Sequence, residues 1–221
     1  MRQRIVLLHA TPVAMPPIHA AFQQLWPEAE IVNLLDDGLT LDRAKQETLS
    51  PALLERFVDL GQYAAGLDTQ GILITCSAFG PAIERLAETV SLPVLKPNEA
   101  MFEEALTRGR RIGMLATFAP SVPTMTEEFY HFAQQINPEA TLETHVVAQA
   151  IDALRQGDAQ THNRLVAEAA LSLQHCDVIM LAHFSTSQAL QAVRDTLNLP
   201  ILSAPHSAVN KMKQRVQGVT C

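Results

Sequence analysis

No apolar run in this sequence reaches membrane-spanning length, so no transmembrane helix and no membrane partner are expected. The opening Met1-Arg2-Gln3-Arg4-Ile5-Val6-Leu7-Leu8 meets polar His9 too early for a signal peptide, which points to the cytoplasm. Three cysteines, an odd number without an export signal, argue against a disulfide framework. The net charge of −7 is spread along the chain and basic residues form no stripe, so nucleic acid is not an expected partner. Neither a Walker loop nor Gly-x-Gly-x-x-Gly occurs, which lowers nucleotide and dinucleotide readings. No lysine stands in a setting suited to a pyridoxal Schiff base. A low-complexity linker is also missing, so any two halves of the chain should pack directly.

What is present is ordinary globular material, 48% hydrophobic and 18% charged over 221 residues, enough to bury a core. Its organising stretch is Gly71-Ile72-Leu73-Ile74-Thr75-Cys76-Ser77-Ala78-Phe79-Gly80-Pro81-Ala82. The apolar run reads as a strand buried on both faces; Ile83, Leu86, Ala87 and Val90 then recur at helical spacing. Val178-Ile179-Met180-Leu181-Ala182-His183-Phe184-Ser185-Thr186-Ser187 has the same form. Ile72 falls on Ile179 at a shift of 107, and that shift carries Cys76 onto His183, Ile5–Leu8 onto Ile112–Leu115 and Thr89–Leu95 onto Thr196–Leu202. Pro27-Glu28-Ala29 matches Pro138-Glu139-Ala140 at 111 instead, as if one helical turn were inserted and later removed. A shared offset over separate segments implies an internal duplication.

Strands are expected at Ile5–Leu8, Ala29–Leu34, Gly71–Thr75 and Pro93–Leu95, and again at Ile112–Leu115, Leu142–Val147, Val178–Leu181 and Pro200–Leu202, with helices between. The polar segment up to Ser50 shows no firm period and reads as a loop or lid. This alternation predicts an α/β fold of two pseudo-symmetric, flavodoxin-like parallel-sheet halves with a cleft between them. The halves are 1–107, with the C-terminal helix 205–218 packed on it, and 108–221. In open α/β sheets ligands bind beyond the carboxyl ends of the strands, which directs attention to His9, Cys76, Thr117 and His183.

Cys76 stands where a strand gives way to a helix, so helix N–H groups favour its thiolate; a buried packing cysteine is the bland reading. It is not the nucleophile of a strand-turn hydrolase motif, because Ile74 and Ala78 occupy the glycine positions. Cys176 lies at the other end of its strand and reads as packing, and Cys221, the last residue, as mobile. Of eight histidines, His19, His131, His145, His162 and His175 need only surface or capping roles. His9, His183 and His206 follow buried strands on the cleft side; with Cys76 they form a zinc ligand set by type, but without a motif spacing, and no metal is expected. Thr11, Ser77, Thr117, Ser121, Ser185, Thr186 and Ser187 crowd the same turns, as helix caps or as carboxylate binders. No arginine is expected at a strand end, so an anionic substrate would be held by neutral donors.

The segments Leu8-His9-Ala10-Thr11-Pro12, Leu73–Ala78, Ile112–Thr117 and Val178–His183 resemble the aspartate/glutamate/hydantoin racemase superfamily over nearly the whole chain. The resemblance implies two facing cysteines that move the proton next to a carboxylate without any cofactor. Cys76 matches the first; the second is replaced by His183, and Phe184 follows where a small hydroxyl residue is usual. The resemblance extends to a single-cysteine relative that is a decarboxylase. The implied activity is a racemase or isomerase acting on a small carboxylic acid, an amino acid or a related compound. Cys76 and His183 would be its acid/base pair, with His9, Thr11, Ser77, Ala78, Thr117, Ser121, Phe184 and Ser185 around the substrate. A decarboxylase or cis–trans isomerase using Cys76 alone, a non-catalytic carboxylate binder and a zinc hydrolase are the alternatives. Relatives often pair, which extends the expectation to a homodimer.

Overall fold

The computed structural model describes residues 2–218; Cys221 lies outside them. The first half of the chain runs β1 (Arg4–His9), α1 (Met15–Leu25), β2 (Glu30–Leu35), α2 (Gly38–Arg43), α3 (Pro51–Ala65), β3 (Gly71–Ile74), α4 (Gly80–Thr89) and β4 (Val94–Leu95). The second runs α5 (Glu99–Arg108), β5 (Arg111–Ala116), α6 (Val122–Ile136), β6 (Thr141–Val146), α7 (Ala148–Arg155), α8 (Ala159–Ala170), β7 (Val178–Leu181), α9 (Leu190–Thr196), β8 (Ile201–Ser203) and α10 (Ala204–Gln217). Among the described residues no helix is long and apolar enough to cross a membrane.

Two four-stranded sheets result, ordered β2-β1-β3-β4 and β6-β5-β7-β8, with every pairing parallel. The 107 offset survives as pairing register. Leu8 opposes Ile74 in one sheet and Leu115 opposes Leu181 in the other; Ile72 opposes Val94 and Ile179 opposes Ile201. The inserted turn lies inside a helix, since α6 has 15 residues where α1 has 11.

The short central strands β3 and β7 are buried along their whole length, as near-continuous apolar runs in parallel sheets must be. One face of the first sheet presents Val6, Leu8, Ile72 and Ile74 to Phe57, Phe79 and Leu86. In the second sheet Leu115, Ile179 and Leu181 meet Val166, Ala170 and Val193.

By compactness the chain divides into residues 1–97 with 208–221, and 98–207. The division thus falls before α5 rather than after residue 107, because α5 is bound to the second unit. Phe102 packs edge-to-face on Phe129 at 5.8 Å, and the Asn137 amide donates to the carbonyls of Leu106 and Gly109. From Ala208 onward α10 belongs to the first unit, where Lys213 donates to the Leu25 carbonyl at 3.2 Å.

Helix α2 has no counterpart among the expected elements. It is held from outside its own six residues: Arg56 on α3 forks onto Asp36 at 2.6 and 2.8 Å and reaches Asp42 at 2.9 Å, while Leu39 is fully buried. Side-by-side packing of α3 and α4 depends on Gly61, whose Cβ, if present, would sit 2.2 Å from buried Leu86. Gly61→Ala is therefore expected to cost about 1–3 kcal/mol through overpacking, read as a lower urea midpoint at unchanged slope.

Candidate active site

Both sheets reverse strand order at their first and third strands, and a doubly wound sheet opens a crevice at that point beyond the carboxyl ends. In the first unit this brings the ends of β1 and β3 together. Thr75 N–H donates to the Leu8 carbonyl, and at the same offset Ala182 N–H donates to the Leu115 carbonyl in the second unit.

In the first unit Cys76 is extended (φ −128°, ψ 126°) and caps a single 3-10 turn, Ser77–Phe79, that leads into α4. Phe79 anchors this turn, fully buried and stacked on Phe57 at 5.0 Å. Cys76 and Ser77 stay half-buried and Ala78 is exposed, so the turn presents the thiol rather than sealing it in. Burial pushes the Cys76 thiol up from its ordinary value, and a hydrogen bond from the Ala78 backbone partly offsets this. At neutral pH the group is a thiol, so the thiolate favoured by its helix-start position is not the resting form.

His9 is fully buried behind this turn. Its Nδ1 pairs with the Thr75 hydroxyl at 2.8 Å and its Nε2 with Asn33 Oδ1 at 2.9 Å, an oxygen that also receives His19 Nε2 at 2.7 Å. Asn33 Oδ1 can only accept, so Nε2–H of His9 donates to it, while the Thr75 hydroxyl beside Nδ1 also reaches the Leu8 carbonyl at 3.3 Å. Burial accordingly pushes the His9 imidazole down. The residue read as a substrate contact has both nitrogens engaged within the chain, and His19 is its neighbour through Asn33. Thr11, at the first turn after β1, forms no capping bond, and its half-buried hydroxyl remains at the strand end.

The second unit differs at the equivalent position. His183 has φ +69°, the left-handed region that a non-glycine residue enters at a cost of about 1–2 kcal/mol. Ser121 donates to the Phe118 carbonyl at 2.9 Å, which commits its only hydrogen. His183 Nε2–H therefore donates to Ser121 Oγ at 2.6 Å, leaving the lone pair on Nδ1. That Nδ1 is buried without a partner. Burial lowers the His183 imidazole to about 4, opposed by the Ala182 carbonyl, so the ring is neutral at pH 7.

Around it Thr117 and Thr186 are buried and share a hydrogen bond at 3.1 Å, Phe184 is buried, and Ser187 donates to the Phe184 carbonyl at 2.6 Å. Ser185 is half-buried in the same turn. His206, in the first turn of α10, is tied by Nδ1 to the hydroxyl of Ser203 at the end of β8, at 2.8 Å. Of the histidines read as peripheral, His162 is fully buried, with Nδ1 on Asn163 at 2.8 Å. The capping expectation fails for Ser121, which precedes α6 without a cap bond because its hydroxyl is spent on Phe118 and His183.

Fold and site together define a two-unit parallel α/β protein whose switch points carry a thiol in one unit and an imidazole in the other. The family description "Asp/Glu/Hydantoin racemase" matches residues 18–173, and the chain belongs to that family. Among solved structures it is similar to glutamate racemase RacE1 from Bacillus anthracis (15% identity, 98% of this chain and 82% of that one, TM-score 0.69). It is also similar to allantoin racemase from Pseudomonas fluorescens (15%, 99% and 93%, TM-score 0.72) and to unliganded arylmalonate decarboxylase (16%, 99% and 94%, TM-score 0.64). An uncharacterized protein of Schizosaccharomyces pombe is 24% identical over 192 residues, 83% of this chain and 74% of its own. At these identities the structural likeness speaks for the fold.

Proposed function

We propose that this protein is a cofactor-independent racemase or isomerase that forms a carbanion next to the carboxylate of a small acid. Cys76 and His183 would be its acid/base residues. One observation carries the reading: strands in the same register are each followed, two residues on, by one of these residues, and burial favours the acid form of one and the base form of the other. A neutral imidazole takes the α-proton and a thiol returns one, so the resting pair is ready for one direction of proton traffic. A bound carboxylate would raise the imidazole toward neutrality by its charge, which increases the driving force for that first step.

Thr11, Ser77, Thr117 and Ser185, with the backbone N–H groups of their turns, would hold the carboxylate and spread the enolate charge, while Ser121, its hydrogen committed to Phe118, would orient His183. Phe184, buried and apolar, would limit the substrate's side chain. His9 serves this chemistry indirectly, by fixing Thr75 immediately before Cys76.

Incubation of candidate amino and hydroxy acids in D2O tests the reading. At least one should gain α-deuterium in the presence of enzyme; if none does across a broad panel, the proposal fails. A second reading, decarboxylation, is favoured by the protonated state of Cys76, because a thiol alone can protonate the carbanion left by CO2 loss. Substituted malonates in D2O separate the two. CO2 release with one deuterium incorporated, undiminished in His183→Asn, supports the decarboxylase, and loss of activity in that variant supports the two-residue mechanism.

A further inference from the structure

Far from the strand ends, three side chains of chemically different type converge near the amino end of the second sheet. Ligand atoms of Glu143, His175 and Cys176 all lie within 4.8 Å of one another, and His175 Nε2 is 2.9 Å from Glu143 Oε2. Glu143 lies on the edge strand β6, and His175 and Cys176 on the turn that enters β7. We propose that these residues form a zinc-type divalent metal site that ties the edge strand to the start of β7.

The backbone makes room for it. Gly113 on the central strand β5 stands opposite Glu143, and a Cβ at 113 would lie 3.3 Å from Cys176 Sγ. The missing side chain lets the sulfur settle against the sheet beside the carboxylate. None of this belongs to the repeated design. At the offsets that relate the halves, Gly113 corresponds to Val6, His175 to Asp68, Cys176 to Thr69 and Glu143 to Val32, a set with a single ligand-type side chain. The trio is therefore present in the second half alone, and the strand-end chemistry does not account for it.

Donor chemistry narrows the ion. A thiolate, an imidazole and a carboxylate suit borderline-soft Zn²⁺, whereas Mg²⁺ and Ca²⁺ prefer oxygen. Around a tetrahedral zinc, ligand atoms stand roughly 3.3–3.7 Å apart. Glu143 and His175 are exposed side chains, so they can close that short distance onto the buried sulfur. Neighbouring Asp177 is not available as a fourth ligand, because its carboxylate accepts from the Arg110 and Arg111 backbone and from the Arg111 guanidinium. Water would complete the shell, and the thiol proton would leave to solvent on binding.

The test is a titration of the full-length protein, reduced and freed of metal, with Co²⁺ as a spectroscopic stand-in for zinc. One equivalent should bind with a thiolate-to-cobalt charge-transfer band, and Zn²⁺ should displace it. The band should vanish in Cys176→Ser and persist in Cys76→Ser. His175→Ala and Glu143→Gln, both exposed changes that leave the fold intact, should each weaken binding by more than the roughly 10–100-fold typical of outer-shell partners. Absence of the band in the wild type, its survival in Cys176→Ser, or wild-type affinity in either exposed variant overturns the proposal. If Cys176→Ser does not fold, the two exposed variants decide.

Discussion

Cys76→Ala is expected to reduce α-proton exchange, or CO2 release if that is the reaction, by about 10²–10⁴-fold, the contribution of one positioned acid/base group. The loss should be chemical rather than structural. Cys76 is half-buried, and its turn is anchored by the neighbouring Phe79–Phe57 stack rather than by the thiol. The thermal midpoint should therefore stay close to that of the wild type while turnover collapses. Cys76→Ser keeps the size and the backbone bond from Ala78 but substitutes a far weaker acid, and it should be nearly as inactive. Exchange at the wild-type rate in a folded Cys76→Ala protein would remove this residue from the mechanism.

A second large effect is expected in the pH dependence of stability, through His183. Its value in the folded protein, about 4, lies below the ordinary 6.5. On acidification the unfolded chain takes up this proton first. The stability held by the neutral ring is thus complete above about pH 6.5 and is lost as pH falls toward 4, with a total on the order of 3 kcal/mol. The comparison variant is His183→Asn. Asparagine tolerates φ +69° better than other non-glycine residues, so the substitution removes the titrating group without imposing a new backbone. Urea unfolding of both proteins between about pH 7 and pH 4.5 should show the wild type losing its margin over the variant as the solution becomes acidic. A margin independent of pH would mean that the ring protonates in the folded chain as readily as in water.

The two effects bear on one another. Burial raises a thiol and lowers an imidazole because both shifts favour the uncharged form. The resulting combination, acid form on one residue and base form on the other, is what a single proton-transfer cycle needs, and two identical cysteines would have to differ in protonation to reach it.

The strands and their duplicated arrangement were legible because they rest on local pattern. Runs such as Ile72–Ile74 and Val178–Leu181 are too apolar to be anything but buried, and the constant offset of 107 fixes which strand repeats which. The extra helical turn was legible for the same reason: a change of offset to 111 requires four residues somewhere, and α6 absorbs them. Helix α2 was not, because its own six residues carry little periodicity and a guanidinium from α3 holds it in place.

The site divides along the same line. Position at a strand end follows from chain order, so Cys76, Thr117 and His183 stand out in the sequence. Hydrogen-bond partners and burial do not follow from order. Asn33 and His19, which hold His9, carry no motif, and no local signal foretells a left-handed backbone at His183. The trio of Glu143, His175 and Cys176 spans two strands and becomes visible only when parallel pairing sets Glu143 against Gly113. Sequence by itself therefore determined the repeat, the strands within it and the residues delivered to their carboxyl ends, since these depend on hydrophobic period and chain connectivity. Tertiary structure alone decided which of those side chains are spent on neighbours and which keep a free proton or lone pair, because desolvation and hydrogen bonding are set by groups that meet only once the chain has folded.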